Sequence, residues 1–151
     1  MRSYLVVMDE TEEALAALRF AARQAARSGG GVEILALIPR SEFVQWSAVQ
    51  EAMEEEARLR AEAMLVQATG AIMEEAGIKP AITIRQGDPV KAVGELLKER
   101  SDFSALVLGA AVESGPGPLV SHFAGAGVGS LPCPLIIVPG GLSEDALTRL
   151  A

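Results

Sequence analysis

Residues 105–139 read ALVLGAAVESGPGPLVSHFAGAGVGSLPCPLIIVP. Two short apolar runs, residues 105–108 and 135–138, bracket a segment rich in Gly, Pro and other small residues. Each run has the length of a strand that is buried on both faces. In an open parallel α/β sheet, ligands bind in the crevice beyond the carboxyl ends of the strands. The loop that opens at Gly109 is therefore where we expect a ligand site.

Strand-like and helix-like segments alternate along the whole chain. Apolar runs predict strands at residues 4–8, 32–38, 81–85, 105–108 and 135–138, the third at or near an edge of the sheet. Apolar residues at helical spacing predict helices over about residues 12–28, 47–76, 89–100 and 119–128, and a final turn or two over 143–150. Residues 40–45 are predicted to be an irregular connector. The pattern predicts one α/β domain over residues 1–151, a doubly wound five-stranded parallel sheet with helices on both faces.

Two of the predicted helices have features that bear on packing. The long helix over residues 47–76 is expected to expose an acidic face and to bury an apolar stripe. That stripe consists of Val49, Met53, Ala57, Met64, Ala68 and Ile72. The helix over residues 119–128 is expected to be short or closely packed, because each of its glycines costs up to about 1 kcal/mol relative to Ala.

Composition and charge exclude several classes of protein. The formal net charge of −7 argues against a nucleic acid or an anionic membrane as a partner. No apolar run approaches the roughly 20 residues of a membrane span, and the first residues do not read as a signal peptide. A single cysteine, Cys133, excludes an intramolecular disulfide framework and is typical of a reducing compartment. We therefore expect an acidic cytoplasmic protein.

The chain lacks the sequence signatures of the common enzyme classes. It has no Walker loop, no G-x-S-x-G elbow and no Cys-x-x-Cys pair, and one His with one Cys makes a metal site improbable. Asp9 and His122 are the candidates for acid–base chemistry, and nothing in the sequence places them together. His122 is either a polar residue near a helix start or a donor to a phosphate oxygen. We expect neither enzymatic activity nor a bound metal.

Asp9 ends the first predicted strand and has two interpretations. Its carboxylate could accept hydrogen bonds from a ribose or from the edge of a base, or it could cap the first helix together with Thr11. The acidic start of that helix would repel phosphates. Phosphates of a nucleotide would then have to lie over residues 109–121.

Four segments in this order resemble the universal stress proteins. They read LVVMD at residues 5–9, QGDP at 86–89, ALVLG at 105–109 and PCPLIIVP at 132–139. The resemblance implies strand order 3-2-1-4-5 and a homodimer that often pairs through the last strand, here Ile136, Ile137 and Val138. In one branch of the family it also implies ATP, AMP or another adenine nucleotide in the crevice.

The phosphate loop of that branch is altered in this chain. The family pattern is Gly, two residues, Gly, nine residues, Gly, then Ser or Thr. Gly109 matches the first position, Val112 occupies the second, and the position of the Gly-Ser pair falls near Ser121 and His122. A β-branched residue does not readily take the positive φ that a phosphate loop needs, although Gly115 and Gly117 could rebuild a loop with another path.

Residues 101–141 contain no Lys or Arg, so a cation for a phosphate would have to come from Arg40 or Arg85. We predict a homodimeric regulatory protein that requires no cofactor and binds ATP or AMP in the crevice. The predicted nucleotide-binding residues are Met8, Asp9, Glu10, Thr11, Ile38, Leu108, Gly109, Val112, Gly115, Gly117, Ser121 and His122. The alternative is a nucleotide-free interaction module that acts through its dimer surface or its long acidic helix.

Overall fold

The structure is a computed structural model that describes residues 2–38 and 47–151. Its strands are β1 (Ser3–Met8), β2 (Gly31–Ile38), β3 (Ala81–Gln86), β4 (Phe103–Ala110) and β5 (Leu135–Pro139). Its α-helices are α1 (Glu12–Ser28), α2 (Ser47–Ala76), α3 (Pro89–Glu99), α4 (Pro118–Phe123) and α5 (Glu144–Leu150), and a short 3₁₀ helix covers Val128–Ser130. The predicted connector at residues 40–45, which includes Arg40, lies outside the described residues.

The five strands form one parallel sheet in the order β3-β2-β1-β4-β5. The predicted fold class and strand order are therefore confirmed. β3 and β5 are the two edges of this sheet. In its centre Val6 of β1 lies between Ile34 of β2 and Val107 of β4, and all three side chains are fully buried.

The sheet buries a separate hydrophobic core on each face, because successive side chains of a strand point to opposite sides. Val6 and Met8 pack under α1, α2 and α5. Leu5 and Val7 pack under α3 and α4. Helix α1 buries a face made mostly of alanines, so its backbone lies close to the strands beneath it. This close approach shapes one wall of the crevice at the carboxyl end of the sheet.

Helix α4 is shorter than the predicted helix at residues 119–128. It ends at Phe123, and the chain turns there before the 3₁₀ helix begins. The N–H of Gly127 donates to the C=O of His122 (3.0 Å), and a Cβ at Gly125 would lie 2.6 Å from the C=O oxygen of Ser121. The glycines therefore make the tight turn. The helix is short, as expected, and it ends five residues before the predicted bound at residue 128.

Helix α2 buries the second part of its predicted apolar stripe. Ala57, Ala68 and Ile72 are buried, whereas Val49 and Met53 are 46% and 48% exposed. A helix of 30 residues is about 45 Å long, and the longest strands have eight residues and span about 26 Å. The first turns of α2 thus extend past the sheet, and the stripe was wrong there.

Glu33 of β2, a charged residue, is buried at the amino end of the sheet. Its Oε1 accepts a hydrogen bond from Arg100 (2.5 Å), and its Oε2 accepts one from the Thr83 hydroxyl (2.9 Å). Arg100 also donates two hydrogen bonds to Asp102 (2.7 and 3.1 Å) and lies over the Phe103 ring. The hydrogen bonds from Arg100 lower the pKa of the Asp102 carboxyl. We call these residues the amino-end network.

Within the described residues, every helix is too short or too polar to cross a lipid bilayer.

Candidate functional site

A cavity of about 640 Å³ opens at the carboxyl ends of β1, β2 and β4, and we call it the crevice cavity. Its lining residues are Val7, Asp9, Thr11, Glu13, Ala14, Leu37, Ile38, Gly87, Asp88, Pro89, Leu108, Gly109, Pro116, Gly117, Pro118, Leu119 and Val120. The volume lies in the range of roughly 300–1,000 Å³ that is usual for small-molecule sites. The strand order reverses between β1 and β4, and α/β sheets bind ligands at such a point.

The crevice cavity combines apolar walls with carboxylates. Val7, Leu37 and Leu108 come from the ends of three adjacent strands and provide a surface against which a flat apolar ring can pack. Asp9, Glu13 and Asp88 also line it. No Lys, Arg or His stands among the described lining residues. The described lining therefore combines apolar side chains with carboxylates and has no basic side chain.

Asp9 takes part in the turn between β1 and α1. Its Oδ1 accepts hydrogen bonds from the backbone N–H and from the hydroxyl of Thr11, the former at 3.0 Å. The Thr11 hydroxyl in turn accepts from the N–H of Ala14 (3.3 Å) as the N-cap of α1. The structure thus shows the capping interpretation. Asp9 Oδ2 has no hydrogen-bond partner among the described residues, so it is also free to accept from a ligand.

The turn between β3 and α3 supplies the third carboxylate. Asp88 caps α3, since its Oδ2 accepts from the N–H of Lys91 (2.9 Å), and Pro89 occupies the first turn as predicted. Gly87 has φ +114°, and its N–H donates to the C=O of Ile38 at the end of β2 (3.4 Å). This bond holds the β3–α3 turn against the end of β2 and thereby places Asp88 at the crevice cavity.

Gly109 is glycine because α1 lies directly on the end of β4. A Cβ at this position would stand 2.0 Å from the C=O oxygen of Glu13, a distance no real contact allows. Gly140 meets the same turn, where a Cβ would lie 2.8 Å from the Glu13 Cβ. Close helix–strand packing therefore explains a glycine that the sequence pattern associates with phosphate binding.

The structure brings half of the predicted nucleotide-binding residues to one cavity. Asp9, Thr11, Ile38, Leu108, Gly109 and Gly117 line the crevice cavity. Met8 and Glu10 line a second cavity of about 580 Å³ between α1 and α2. Met8 points to the opposite face of the sheet from Val7, because consecutive side chains of a strand alternate. Asp9 and Thr11 line both cavities.

The remaining four predicted residues line neither cavity. Val112 is 74% exposed, and Gly115 and Ser121 are exposed as well. His122 lies in the last turn of α4 and not at its start, with its ring edge-on to Phe123 at 4.9 Å. The loop after β4 carries Val112 and Gly115 outward before Pro116 returns to the crevice cavity, and Ser121 and His122 lie in α4. His122 lines neither of the two cavities that Asp9 lines.

Of the two cations expected to approach a phosphate, Arg85 does not line the crevice cavity and forms an ion pair with Glu99 of α3 (2.6 Å). Arg40 lies outside the described residues. Within residues 2–38 and 47–151, no group of three or more His, Cys, Asp or Glu side chains is arranged to hold a metal ion.

Sequence reasoning missed several lining residues that had detectable signals. Leu37 and Val7 come one residue before strand ends that were predicted, so alternation could have placed them. Asp88 was predicted as a cap, and the carboxyl end of a parallel strand brings it to the same edge as Asp9. Glu13 had no such signal, because its place depends on how α1 packs against Gly109.

Comparisons with known proteins agree on the family and the fold. The model of the universal stress protein family matches residues 1–139. The chain is similar in structure to the universal stress protein UspA from Lactobacillus plantarum, with a TM-score of 0.79 and 19% identity over 91% of this chain and 97% of that one. No curated protein matches the chain.

Two further solved structures were determined with ligands. A universal stress protein family protein from Arabidopsis thaliana with AMP bound has a TM-score of 0.57 and 15% identity over 96% of this chain and 94% of that one. A universal stress protein in complex with cAMP has a TM-score of 0.50 and 19% identity over 91% and 96%. At these identities the likeness shows the fold.

Proposed function

This chain belongs to the universal stress protein family, and from that premise we propose that it is a regulatory protein that binds an adenine nucleotide in the crevice cavity. The observation that supports this function most directly is a cavity of about 640 Å³ at the point where the strand order reverses. Similar structures solved with AMP and with cAMP support the choice of ligand. We further propose that residues 1–151 act as one non-enzymatic cytoplasmic domain.

In this proposal the adenine ring packs on the apolar wall formed by Val7, Leu37 and Leu108. The ribose lies near Asp9, whose Oδ2 accepts a hydroxyl hydrogen bond. The phosphate lies beside Gly117, where the absent side chain leaves open space and allows the backbone to approach it. The outer part of the predicted loop, including Val112, is not required.

Calorimetric titration of the nucleotide-stripped protein with AMP tests the proposal. We expect saturable heat for the wild type and no heat for Leu119→Trp, since Leu119 lines the crevice cavity and an indole would fill part of it. Val112→Trp is the matched control, because Val112 precedes the same helix and does not line the cavity. Absence of heat from the wild type at millimolar AMP would refute nucleotide binding.

The nucleotide-free interaction module remains a second candidate. The absence of a described cation among the lining residues favours it. Mass spectrometry of the denatured, freshly purified protein separates the two functions. Stoichiometric AMP or cAMP in the released fraction would rule out the nucleotide-free module.

We also propose a homodimer that pairs through β5. β5 is an edge strand with β4 on one side, so its other side carries backbone groups that a twofold partner can complete. Of the residues predicted for this contact, Ile137 is 39% exposed, Ile136 is partly buried and Val138 is buried in its own core. The contact would therefore rest on the backbone and on Ile137.

Light scattering at tens of micromolar measures the mass of the assembly. Ile137→Lys is expected to give a monomer, since an edge lysine opposes strand pairing. The matched control is Ile82→Lys on the opposite edge strand β3, where Ile82 is 43% exposed. A monomeric wild type, or equal effects of the two variants, would contradict pairing through β5.

A further inference from the structure

We propose that the crevice cavity selects its ligand by charge, so that affinity falls with each phosphate added to an adenine nucleoside. The proposal rests on the proposed function, because it concerns ligands of the same cavity. The preferred class is an uncharged or singly phosphorylated nucleoside, and ATP is the poorest ligand of the series.

The first observation is the concentration of negative charge in a small space. Asp9, Glu13 and Asp88 line one cavity of about 640 Å³. Such a volume is about 10 Å across, comparable with the Debye length of about 8 Å at physiological ionic strength. Salt therefore screens these carboxylates incompletely from a charge inside the cavity.

The second observation is the hydrogen-bonding character of the polar wall. Glu13 has no hydrogen-bond or ion-pair partner among the described residues, and Asp9 and Asp88 each use one oxygen in a helix cap. Ionised carboxylates accept hydrogen bonds and do not donate them. Ribose hydroxyls and an exocyclic amine can donate to these carboxylates. A phosphate oxygen can only accept, and the hydroxyl of Thr11, which also lines the cavity, already donates to Asp9.

The third observation concerns what could offset the repulsion. The lining residues of the described chain include no Lys, Arg or His. Helix α4 starts beside the cavity, but Gly117 provides no side-chain cap and Pro118 has no N–H. A six-residue helix also has a small dipole. The start of α4 therefore offers a phosphate little compensation for the three carboxylates.

The test compares the dissociation constants of adenosine, AMP and ATP for the full chain, in EDTA so that no cation neutralises the phosphates. We expect the constant to rise along the series, by at least about tenfold from adenosine to ATP. Added salt should bring the dissociation constant of ATP closer to that of adenosine, because salt screens the repulsion between the phosphates and the carboxylates. A series in which ATP binds tightest, or ATP binding that weakens with salt, would overturn charge selection.

Three variants locate the effect. Glu13→Gln and Asp88→Asn should each lower the ratio of the ATP dissociation constant to the adenosine dissociation constant several-fold. Asparagine is also a good N-cap, so Asp88→Asn should leave the first turn of α3 intact. Glu12→Gln is the matched control, since Glu12 lies in the same first turn of α1 and does not line the cavity. The same ratio of dissociation constants in the wild type and all three variants would overturn the proposal. If Asp88→Asn does not fold, the result for Glu13→Gln decides.

The outcomes also separate this inference from the function on which it rests. Binding of ATP in preference to adenosine would refute charge selection and leave adenine nucleotide binding intact. Absence of binding by all three ligands would refute the proposed function and charge selection together.

Discussion

The carboxylates at the two ends of the sheet differ in how many of their oxygens accept hydrogen bonds from other residues. At the amino end, both oxygens of buried Glu33 accept hydrogen bonds, one from Arg100 and one from Thr83. At the carboxyl end, Asp9 and Asp88 each leave one oxygen without a partner among the described residues, and they border a cavity. Full pairing stabilises one end of the fold, whereas the other end keeps acceptors available for a ligand.

Arg100→Met tests the paired end and should have the largest effect on stability. It leaves Glu33 buried with a charge that no arginine compensates, and breaking a buried pair in this way costs about 3–5 kcal/mol. Because the Arg100 side chain is 35% exposed, we expect about 3 kcal/mol. The free energy of unfolding from urea titration measures the loss.

Arg85→Met is the control for that variant. Arg85 also forms an ion pair at 2.6 Å, but its partner Glu99 is 52% exposed. Exposed pairs contribute about 0–1 kcal/mol, so the loss should be small. If Arg100→Met and Arg85→Met lowered the free energy of unfolding equally, the burial of Glu33 would not make its ion pair more important than the exposed one.

Gly109→Ala tests whether the carboxyl end is built by close packing. A Cβ there meets the Glu13 backbone, which cannot move without moving α1, so we expect a loss of about 2 kcal/mol in the free energy of unfolding. Gly94→Ala in α3 is the control, since nothing lies within 4 Å of its Cβ and alanine favours a helix by up to about 1 kcal/mol. An unchanged stability in Gly109→Ala would show that the position is glycine for another reason.

Gly109 also shows how far sequence reasoning reaches. The apolar runs were enough to predict the five described strands. Burial on both faces gives the central strands a continuous apolar signature, whereas the edge strand β3 is largely exposed and was predicted from its alternating residues. The same sequence associated Gly109 with phosphates, although packing against Glu13 explains the glycine. The sequence shows that the backbone at residue 109 must lie close to another group. It does not show whether that group is a ligand or, as here, the Glu13 carbonyl.

The crevice cavity was predicted in part for a related reason. Asp9 and Leu108 end strands, so topology brings them together, and both line the cavity. Val112 and Ser121 were chosen by their spacing from Gly109, and that spacing assumes a loop path that this chain does not follow. Proline and glycine at residues 115–118 turn the loop back at a different point. Loop geometry depends on such turns more than on residue count.

Asp102→Asn tests the most exposed carboxylate of the amino-end network and should have the smallest effect on the free energy of unfolding. Hydrogen bonds from Arg100 hold the pKa of the Asp102 carboxyl below its ordinary value of 3.8. A carboxyl whose pKa is lower in the folded state stabilises the fold above the unfolded pKa. That contribution is lost as pH falls through 3.8 towards the lower folded pKa. The variant should therefore show a shallower decline in unfolding free energy in this acid range. In the Arg100→Met background, adding Asp102→Asn should not change the pH dependence of the unfolding free energy further. If Asp102→Asn alone declined as steeply in acid as the wild type, the pH dependence would come from other carboxylates.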